Sequence, residues 1–153
     1  MIRPASSEDA AAVSALELAC LGADAWSATL VAEAVSGSLP TVSVLVATVP
    51  GASGPAAPDG VVGYAVLSVA GEAAELQRIA VAPEHRRTQV GRRLLEEAAR
   101  QARRTAVNRL LLEVREDNGV ARSFYAALGF VEIDRRQGYY RNGGAAVVMG
   151  RPL

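Results

Sequence analysis

The sequence predicts a single α/β domain of the α+β type, in which helices flank one mixed β-sheet. Strand-like runs alternate with amphipathic helical runs in the second half of the chain, and the connections between them are short. The two apolar runs at the C-terminal end read as a strand pair around a loop rich in Tyr and Gly, which favours antiparallel pairing there. With 153 residues the chain is long enough for one core, so residues 1–153 are expected to fold as one unit.

Capping residues and apolar periodicity define the expected helices and strands. In the first half these are a short edge strand at 2–4, a helix from Ser6 or Ser7 to about Leu21, a helix from Ser27 to about Gly37, and strands at 41–48, 61–70 and 74–81. In the second half they are a helix at 90–104, a strand at 109–115, a helix from Asp117 or Asn118 to a stop at Gly129, and strands at 130–135 and 145–151. Residues 50–60 are rich in Pro and Gly, which predicts a flexible hairpin tip.

Composition argues against several classes of protein. No apolar run approaches the roughly 18 residues of a membrane span, and the N-terminus lacks the layout of a signal peptide, so a cytoplasmic protein without a membrane partner is expected. Cys20 and His85 are the only cysteine and the only histidine, which cannot supply a zinc site, so no metal is expected.

Charge is unevenly distributed along the chain. Residues 1–77 carry eight acidic residues and one arginine, whereas residues 78–153 carry eight acidic residues and fifteen arginines, so charges of −7 and +7 cancel. The zero net charge and the scarcity of aromatic residues argue against direct binding of nucleic acid.

A basic turn at residues 86–91 joins the strand at 74–81 to the following helix. The first backbone N–H groups of a helix have no partner inside the helix and carry partial positive charge, so a strand, a basic turn and a helix start can together hold a phosphate. An ordinary surface turn with solvated arginines has the same sequence signature. The residues alone therefore leave both alternatives open.

Glu113 is the candidate general base. Alternation in the strand at 109–115 places Glu113 on the face opposite Leu110 and Leu112. A carboxylate in a central strand is costly unless it is paired or neutral, so its pKa is expected to rise, which suits a base near neutral pH. The alternative is a structural salt bridge with Arg115 or with an arginine of a neighbouring strand.

Four other polar side chains accompany Glu113. Tyr125 and Asn118 fall on the next helix, where alone they would be a core aromatic residue and a helix cap. Glu75 and Arg78 lie on the strand before the basic turn and could be solvated or could line a cleft.

Together these segments resemble the GNAT superfamily of N-acetyltransferases over nearly the whole chain, most strongly from Glu75 to Tyr140. In that family the basic turn reads Gln/Arg-x-x-Gly-x-Gly/Ala and holds the pyrophosphate of coenzyme A. Arg86 and Gly91 match this pattern, and Gln89 stands where the family has glycine. We expect Gln89 to point its side chain outward and to keep its backbone N–H in place.

One branch, the RimI-type ribosomal-protein-alanine N-acetyltransferases, is most similar. The likeness is carried by residues 79–83, 113–118, 124–130 and 136–140 and, with Ala25 in place of a proline, by Trp26 and Ser27. Enzymes of that branch acetylate the N-terminal alanine of a small-subunit ribosomal protein. The resemblance implies a mostly antiparallel sheet of about six to seven strands flanked by about four helices. It also implies acetyl-CoA as the acetyl donor.

The resemblance implies a role for each matching position. Glu113 would be the general base and Tyr125 the general acid of a direct attack on the thioester. The cofactor-binding residues would be Ile79, Ala80 and Val81 on the strand, Arg86, Arg87, Thr88, Gln89, Val90, Gly91 and Arg92 at the basic turn, and Asn118. The acceptor, a peptide or protein N-terminus, would lie against Glu75, Arg78, Tyr139 and Tyr140.

Other functions fit the same sequence. An N-acetyltransferase of this superfamily could act on a small-molecule amine or on a lysine side chain. A non-catalytic module that binds acyl-CoA, or an arginine-rich nucleic-acid binder, would not need Glu113 as a base.

Overall fold

The computed structural model describes residues 1–52, 60–139 and 143–153, which contain seven β-strands and four α-helices. In chain order these are β1 (Ile2–Pro4), α1 (Ala10–Leu21), α2 (Ala28–Ser36), β2 (Val42–Thr48), β3 (Val61–Ala70), β4 (Ala73–Val81), α3 (Val90–Arg103), β5 (Arg109–Arg115), α4 (Gly119–Ala127), β6 (Val131–Arg136) and β7 (Ala146–Pro152). Every predicted helix and strand is present, and the differences are confined to their ends. Most of the predicted hairpin tip at 50–60 lies outside the described residues.

Local capping explains where the helices begin and end. Residues Ser7–Asp9 form a 3₁₀ turn before α1, fixed by the Ser6 N–H that donates to the Asp9 carboxylate at 2.8 Å, so the regular helix starts later than predicted. The side chains of Ser27 and Asn118 each accept a backbone hydrogen bond and thereby begin α2 and α4.

The strands form one mixed sheet in the order β1-β2-β3-β4-β5-β7-β6. All neighbouring strands are antiparallel except β4 and β5, which are parallel and are connected through α3. The predicted fold class, a mostly antiparallel mixed sheet flanked by helices, is therefore confirmed.

Helices cover both faces of the sheet. On β3, a Cβ added to Gly63 would lie 3.2 Å from the side chain of Leu94 on α3. The next residue, Tyr64, lies beside Glu17 of α1. Because successive strand residues point to opposite faces, α3 covers one face and α1 with α2 the other. We call these the α3 face and the α1 face.

β4 and β5 pair with each other only near their beginnings. Their register covers four residue pairs, from Ala73 with Arg109 to Leu76 with Leu112, and beyond these pairs both strands continue to their ends. Gln77 is an extra residue in the register between β3 and β4, and such a bulge bends a strand. The two strands therefore leave a gap between their C-terminal parts, which we call the β4–β5 opening.

The helix α3 carries much of the core on its face of the sheet. Leu94 and Leu95 are fully buried, and Leu110 and Leu112 of β5 are buried on the same side. No helix within the described residues is long and apolar enough to cross a membrane. The same residues contain no group of three or more His, Cys, Asp or Glu side chains that could hold a metal ion.

Candidate functional site

The basic turn has a left-handed backbone at two positions. Arg87 and Gln89 have φ angles of 63° and 71°. The Nε of Arg86 donates to the carbonyl of Val81 at 3.0 Å, which fixes the turn to the end of β4. The side chains of Arg86, Arg87 and Arg92 are exposed around the turn and the first residues of α3.

Backbone N–H groups without a partner in the helix lie at the start of α3, directly after this turn. The N–H of Arg93 donates to the carbonyl of Gln89 at 3.0 Å, so the N–H groups at 90–92 have no acceptor within the helix. The hydroxyl of Thr88 donates to the carbonyl of His85 and closes the turn just before the helix. A helix start with exposed arginines beside it can bind phosphate oxygens.

The two positions where the family motif has glycine, 89 and 91, place different structural requirements on the residue: a left-handed backbone at the first and a small side chain at the second. Gln89 adopts the left-handed conformation that glycine favours, with φ of 71° and ψ of 4°, and its side chain is exposed as expected. At Gly91, a Cβ would lie 3.4 Å from the ring of Phe124 and 3.7 Å from a methyl group of Val81. That position has room for a methyl group and little more, because the start of α3 lies against both α4 and β4.

The backbone of β4 faces the β4–β5 opening at alternate residues. The N–H of Ala82 donates to the carbonyl of Val62 on β3 at 2.8 Å, and such bonded positions recur at every second residue of an antiparallel pair. The same alternation directs the backbone groups of Ala80 to β3 and those of Ile79 and Val81 to the opening. Of the three residues predicted to bind the cofactor through their backbone, two therefore face the opening.

Two carboxylates lie beside the opening on the α1 face. The register with β3 places Glu75 on the same face as Tyr64, and the register with β5 places Glu113 there as well. Glu113 follows the last β5 residue that pairs with β4, so it stands where the strands begin to separate. The predicted alternation of β5 is confirmed.

Glu113 has a cationic partner. Its side chain is 21% exposed, and its Oε1 lies 3.1 Å from Nη1 of Arg136. The salt-bridge alternative is thus found in the structure, but the partner belongs to β6, two strands away in the sheet, and not to Arg115. Arg115 instead contacts Asp24, with 3.0 Å between Nη2 and Oδ2.

The surroundings of Glu75 favour its protonated form. Burial raises the pKa of Glu75 above its ordinary value, and the negative charge of Glu113 raises it further, while Arg136 acts in the opposite direction. A carboxylate with a raised pKa binds a proton more readily than an ordinary one. The α1 side of the opening can therefore attract a cation and accept a proton.

Arg78 is held by residues of α1 and of the connection between α1 and α2. Its Nε and Nη2 donate to the two carboxylate oxygens of Glu17 at 2.9 and 3.1 Å, and Glu17 is fully buried. Nη2 also donates to the backbone carbonyl of Asp24, and the ring of Trp26 lies 4.9 Å from the guanidinium carbon. Sequence reasoning missed Glu17 and Asp24. The available signal was a glutamate among the apolar positions of α1.

Tyr125 is buried on α4, the helix whose Phe124 lies against the start of α3. Its ring packs edge-to-face against Phe124 and Phe130. The ring centroid of Tyr125 lies 5.4 Å from that of Phe124 and 5.8 Å from that of Phe130. Burial raises the pKa of Tyr125 to about 12. The phenol therefore stays protonated at neutral pH and can act as a hydrogen-bond donor.

The remaining predicted site residues are distributed around these groups. The side-chain oxygen of Asn118 accepts from the N–H of Ala121 at 3.1 Å, so this residue acts as the cap of α4. Tyr139 is half exposed, and its ring centroid lies 5.9 Å from the guanidinium carbon of Arg136. Tyr140, also predicted to contact the acceptor, lies outside the described residues.

Known proteins resemble this chain in sequence and in fold. The profile of the Acetyltransferase (GNAT) family matches residues 44–130, more than half of the chain. The [ribosomal protein bS18]-alanine N-acetyltransferase of Escherichia coli strain K12 is 36% identical over 93 residues, 59% of this chain and 63% of that protein. The N-alpha-acetyltransferase RimI of Mycobacterium tuberculosis is 40% identical over 88 residues, 55% of this chain and 54% of that protein.

The fold agrees over a longer stretch than the sequence. The crystal structure of the ribosomal-protein-S18-alanine N-acetyltransferase from Escherichia coli superposes with a TM-score of 0.83 and 28% identity, covering 100% of this chain and 93% of that one. In sequence, the chain spans less than two thirds of the length of the two relatives above. The family match extends over the opening, the basic turn and the carboxylate face. The chain belongs to the GNAT family of acetyltransferases.

Proposed function

We propose that this chain transfers the acetyl group of acetyl-CoA to the α-amino group of a protein N-terminus. The observation that carries the proposal is the β4–β5 opening, with unpaired helix N–H groups and arginines at one end and two carboxylates on the α1 face. The similarity to enzymes named for ribosomal-protein alanine supports a finer proposal, that the acceptor is the N-terminal alanine of a small-subunit ribosomal protein.

The donor side of the opening suits coenzyme A. The N–H groups at 90–92 and the exposed Arg86, Arg87 and Arg92 would hold its phosphates. The backbone groups of Ile79 and the N–H of Val81 would bind its extended amide-containing arm, while the Val81 carbonyl holds Arg86. When bound, acetyl-CoA supplies an acetyl group activated as a thioester.

The acceptor side suits an amine. A free α-amino group has a pKa of about 7.7–8.0, so most of it carries a proton in the cell and is attracted to Glu75 and Glu113. We assign Glu113 as the general base, because it stands where the strands separate, whereas Glu75 still lies in the paired part of β4. Glu75 would hold the ammonium group close to Glu113. When the amine binds, Arg136 would either move away from Glu113 or bind the Glu113 carboxylate together with the amine.

Tyr125 is the proposed general acid. With a pKa of about 12, its hydroxyl remains protonated while the thiolate leaves. A thiol has a pKa of about 8.5, so complete transfer of the phenolic proton to the thiolate is unfavourable. Hydrogen bonding from the hydroxyl to the departing sulfur would therefore supply most of the stabilisation from Tyr125.

A second acceptor class is favoured by the same observation. Two carboxylates attract any ammonium group, so a lysine side chain or a small-molecule amine remains the alternative acceptor. The test is a side-by-side assay with acetyl-CoA and three acceptors: an alanine-starting peptide, the same peptide with a blocked N-terminus and an internal lysine, and a set of polyamines and aminoglycosides. Mass spectrometry should locate the acetyl group on the alanine nitrogen. Acetylation of the small amines alone would refute the peptide acceptor.

A further inference from the structure

One residue of the connection between α1 and α2 touches both strands that border the β4–β5 opening. The backbone carbonyl of Asp24 accepts from Nη2 of Arg78 on β4 at 2.5 Å. Its carboxylate accepts from Nε and Nη2 of Arg115 on β5 at 3.3 and 3.0 Å. Both arginines lie beyond Leu76 and Leu112, where the pairing of the strands ends. Asp24 therefore spans the gap that no backbone pairing closes.

The β4 end of this bridge is rigid. Glu17 is fully buried and holds Arg78 through two parallel hydrogen bonds, a geometry that fixes the plane of the guanidinium group. The ring of Trp26 packs 4.9 Å from the same group. Burial and the Glu17 carboxylate also raise the pKa of Tyr64, so this phenol stays neutral beside the ion pair.

The β5 end is more open to solvent. The side chains of Arg115 and Asp24 are 26% and 46% exposed. An ion pair this exposed contributes little to the stability of the fold. Its position is more informative: it lies on the α1 face, two residues along β5 from Glu113.

We infer that Asp24 and Arg78 are positioning residues that hold residues 22–27 as a wall of the acceptor site. This inference rests on the proposed function, because it assigns that wall to the amine side of the transfer. Asp24 sets the distance between the wall and β5, and Arg78 sets its distance from β4. Loosening the bridge weakens acceptor binding and leaves donor binding intact, because the basic turn lies on the other side of the opening.

The test compares Asp24→Asn with a matched control. Asp24→Asn removes the charge that Arg115 binds and keeps the backbone carbonyl that Arg78 binds. Glu96→Gln is the control, because Glu96 is 44% exposed and pairs with Arg151 at 3.1 Å on the α3 side of the sheet. Asp24→Asn should raise the KM for the alanine-starting peptide by about fivefold, which corresponds to the largest free energy that an exposed ion pair usually contributes. The kcat and the KM for acetyl-CoA should not change. Glu96→Gln should change none of the three.

A second measurement does not depend on turnover. Hydrogen–deuterium exchange of the backbone amides at 22–27 should become faster in Asp24→Asn and in Arg78→Lys, which keeps the charge but loses the two-pronged contact with Glu17. It should stay unchanged in Glu96→Gln. A wild-type protein that acetylates no amine refutes the proposed function. An active wild type whose Asp24→Asn variant keeps both the peptide KM and the exchange rates of 22–27 overturns this inference alone.

Discussion

The left-handed backbone at Gln89 makes a quantitative prediction about the variant Gln89→Gly. A residue with a Cβ pays about 1–2 kcal/mol for this conformation. Glycine avoids that cost, but it loses more backbone conformational entropy on folding, which cancels about 0.5–1 kcal/mol of the gain. The difference predicts that Gln89→Gly stabilises the fold by about 0.5–1 kcal/mol, or raises the melting temperature by about 1–4 °C for a chain of this length.

Thermal unfolding with and without coenzyme A measures the effect of this change on the stability of the fold and on the affinity for coenzyme A. Ala106→Gly is the matched control, because Ala106 has a φ of 63°, is exposed and lies between α3 and β5. Both variants should melt above the wild type. Only Gln89→Gly should also bind coenzyme A more tightly, because glycine lets a phosphate approach the backbone closely. The reasoning is refuted if both variants melt below the wild type, or if Ala106→Gly changes coenzyme A affinity as much as Gln89→Gly.

Three further substitutions have defined expected outcomes. Glu113→Gln should lower kcat by about 10²–10⁴-fold while calorimetry shows unchanged coenzyme A binding; wild-type turnover would exclude it as the base. Because the pKa of Glu75 is raised in the fold, its ionisation disfavours folding above its unfolded pKa. Glu75→Gln should therefore raise the melting temperature at pH 7, with the gain vanishing as pH falls below about 4, and a gain that persists there would contradict this. The hydrogen bonds from Arg3 lower the pKa of Asp9, so Asp9→Asn should reduce the free energy of unfolding by about 1–2 kcal/mol at neutral pH. The difference from the wild type should shrink as the pH falls through the folded pKa of Asp9. Equal stability of variant and wild type at neutral pH would contradict this.

Local signals in the sequence were sufficient to place the helices and strands. Ser27 and Asn118 are side-chain caps whose partners lie three residues away, so the sequence shows cap and helix together. The alternation of β5 likewise depends only on neighbouring residues, and it correctly put Glu113 on the face opposite Leu110 and Leu112.

The partners of the polar side chains could not be predicted in the same way. Arg78 and Glu17 are 61 positions apart, and their contact depends on how α1 packs against β4. Glu113 reaches Arg136 across β7, which requires the strand order β5-β7-β6. The raised pKa of Glu75 could not be predicted either, because its burial and its charged neighbours depend on the tertiary structure.

The opening itself depends on an irregularity in the sheet. Gln77 interrupts the register of β4, and no periodicity in the sequence marks it as an extra residue. The resemblance to a family, and not the residue pattern, was what suggested a cofactor beside Ile79 and Val81. The structure adds that only these two of the three strand residues direct their backbone groups to the opening.

A crystal structure with coenzyme A bound is the most direct test of the proposed donor site. The two phosphates of the pyrophosphate should accept hydrogen bonds from the backbone N–H groups at 90–92, and the thiol end should lie in the β4–β5 opening on the way to Glu113. A cofactor whose pyrophosphate lies away from the start of α3, or whose thiol end lies outside the opening, would contradict the proposed mechanism.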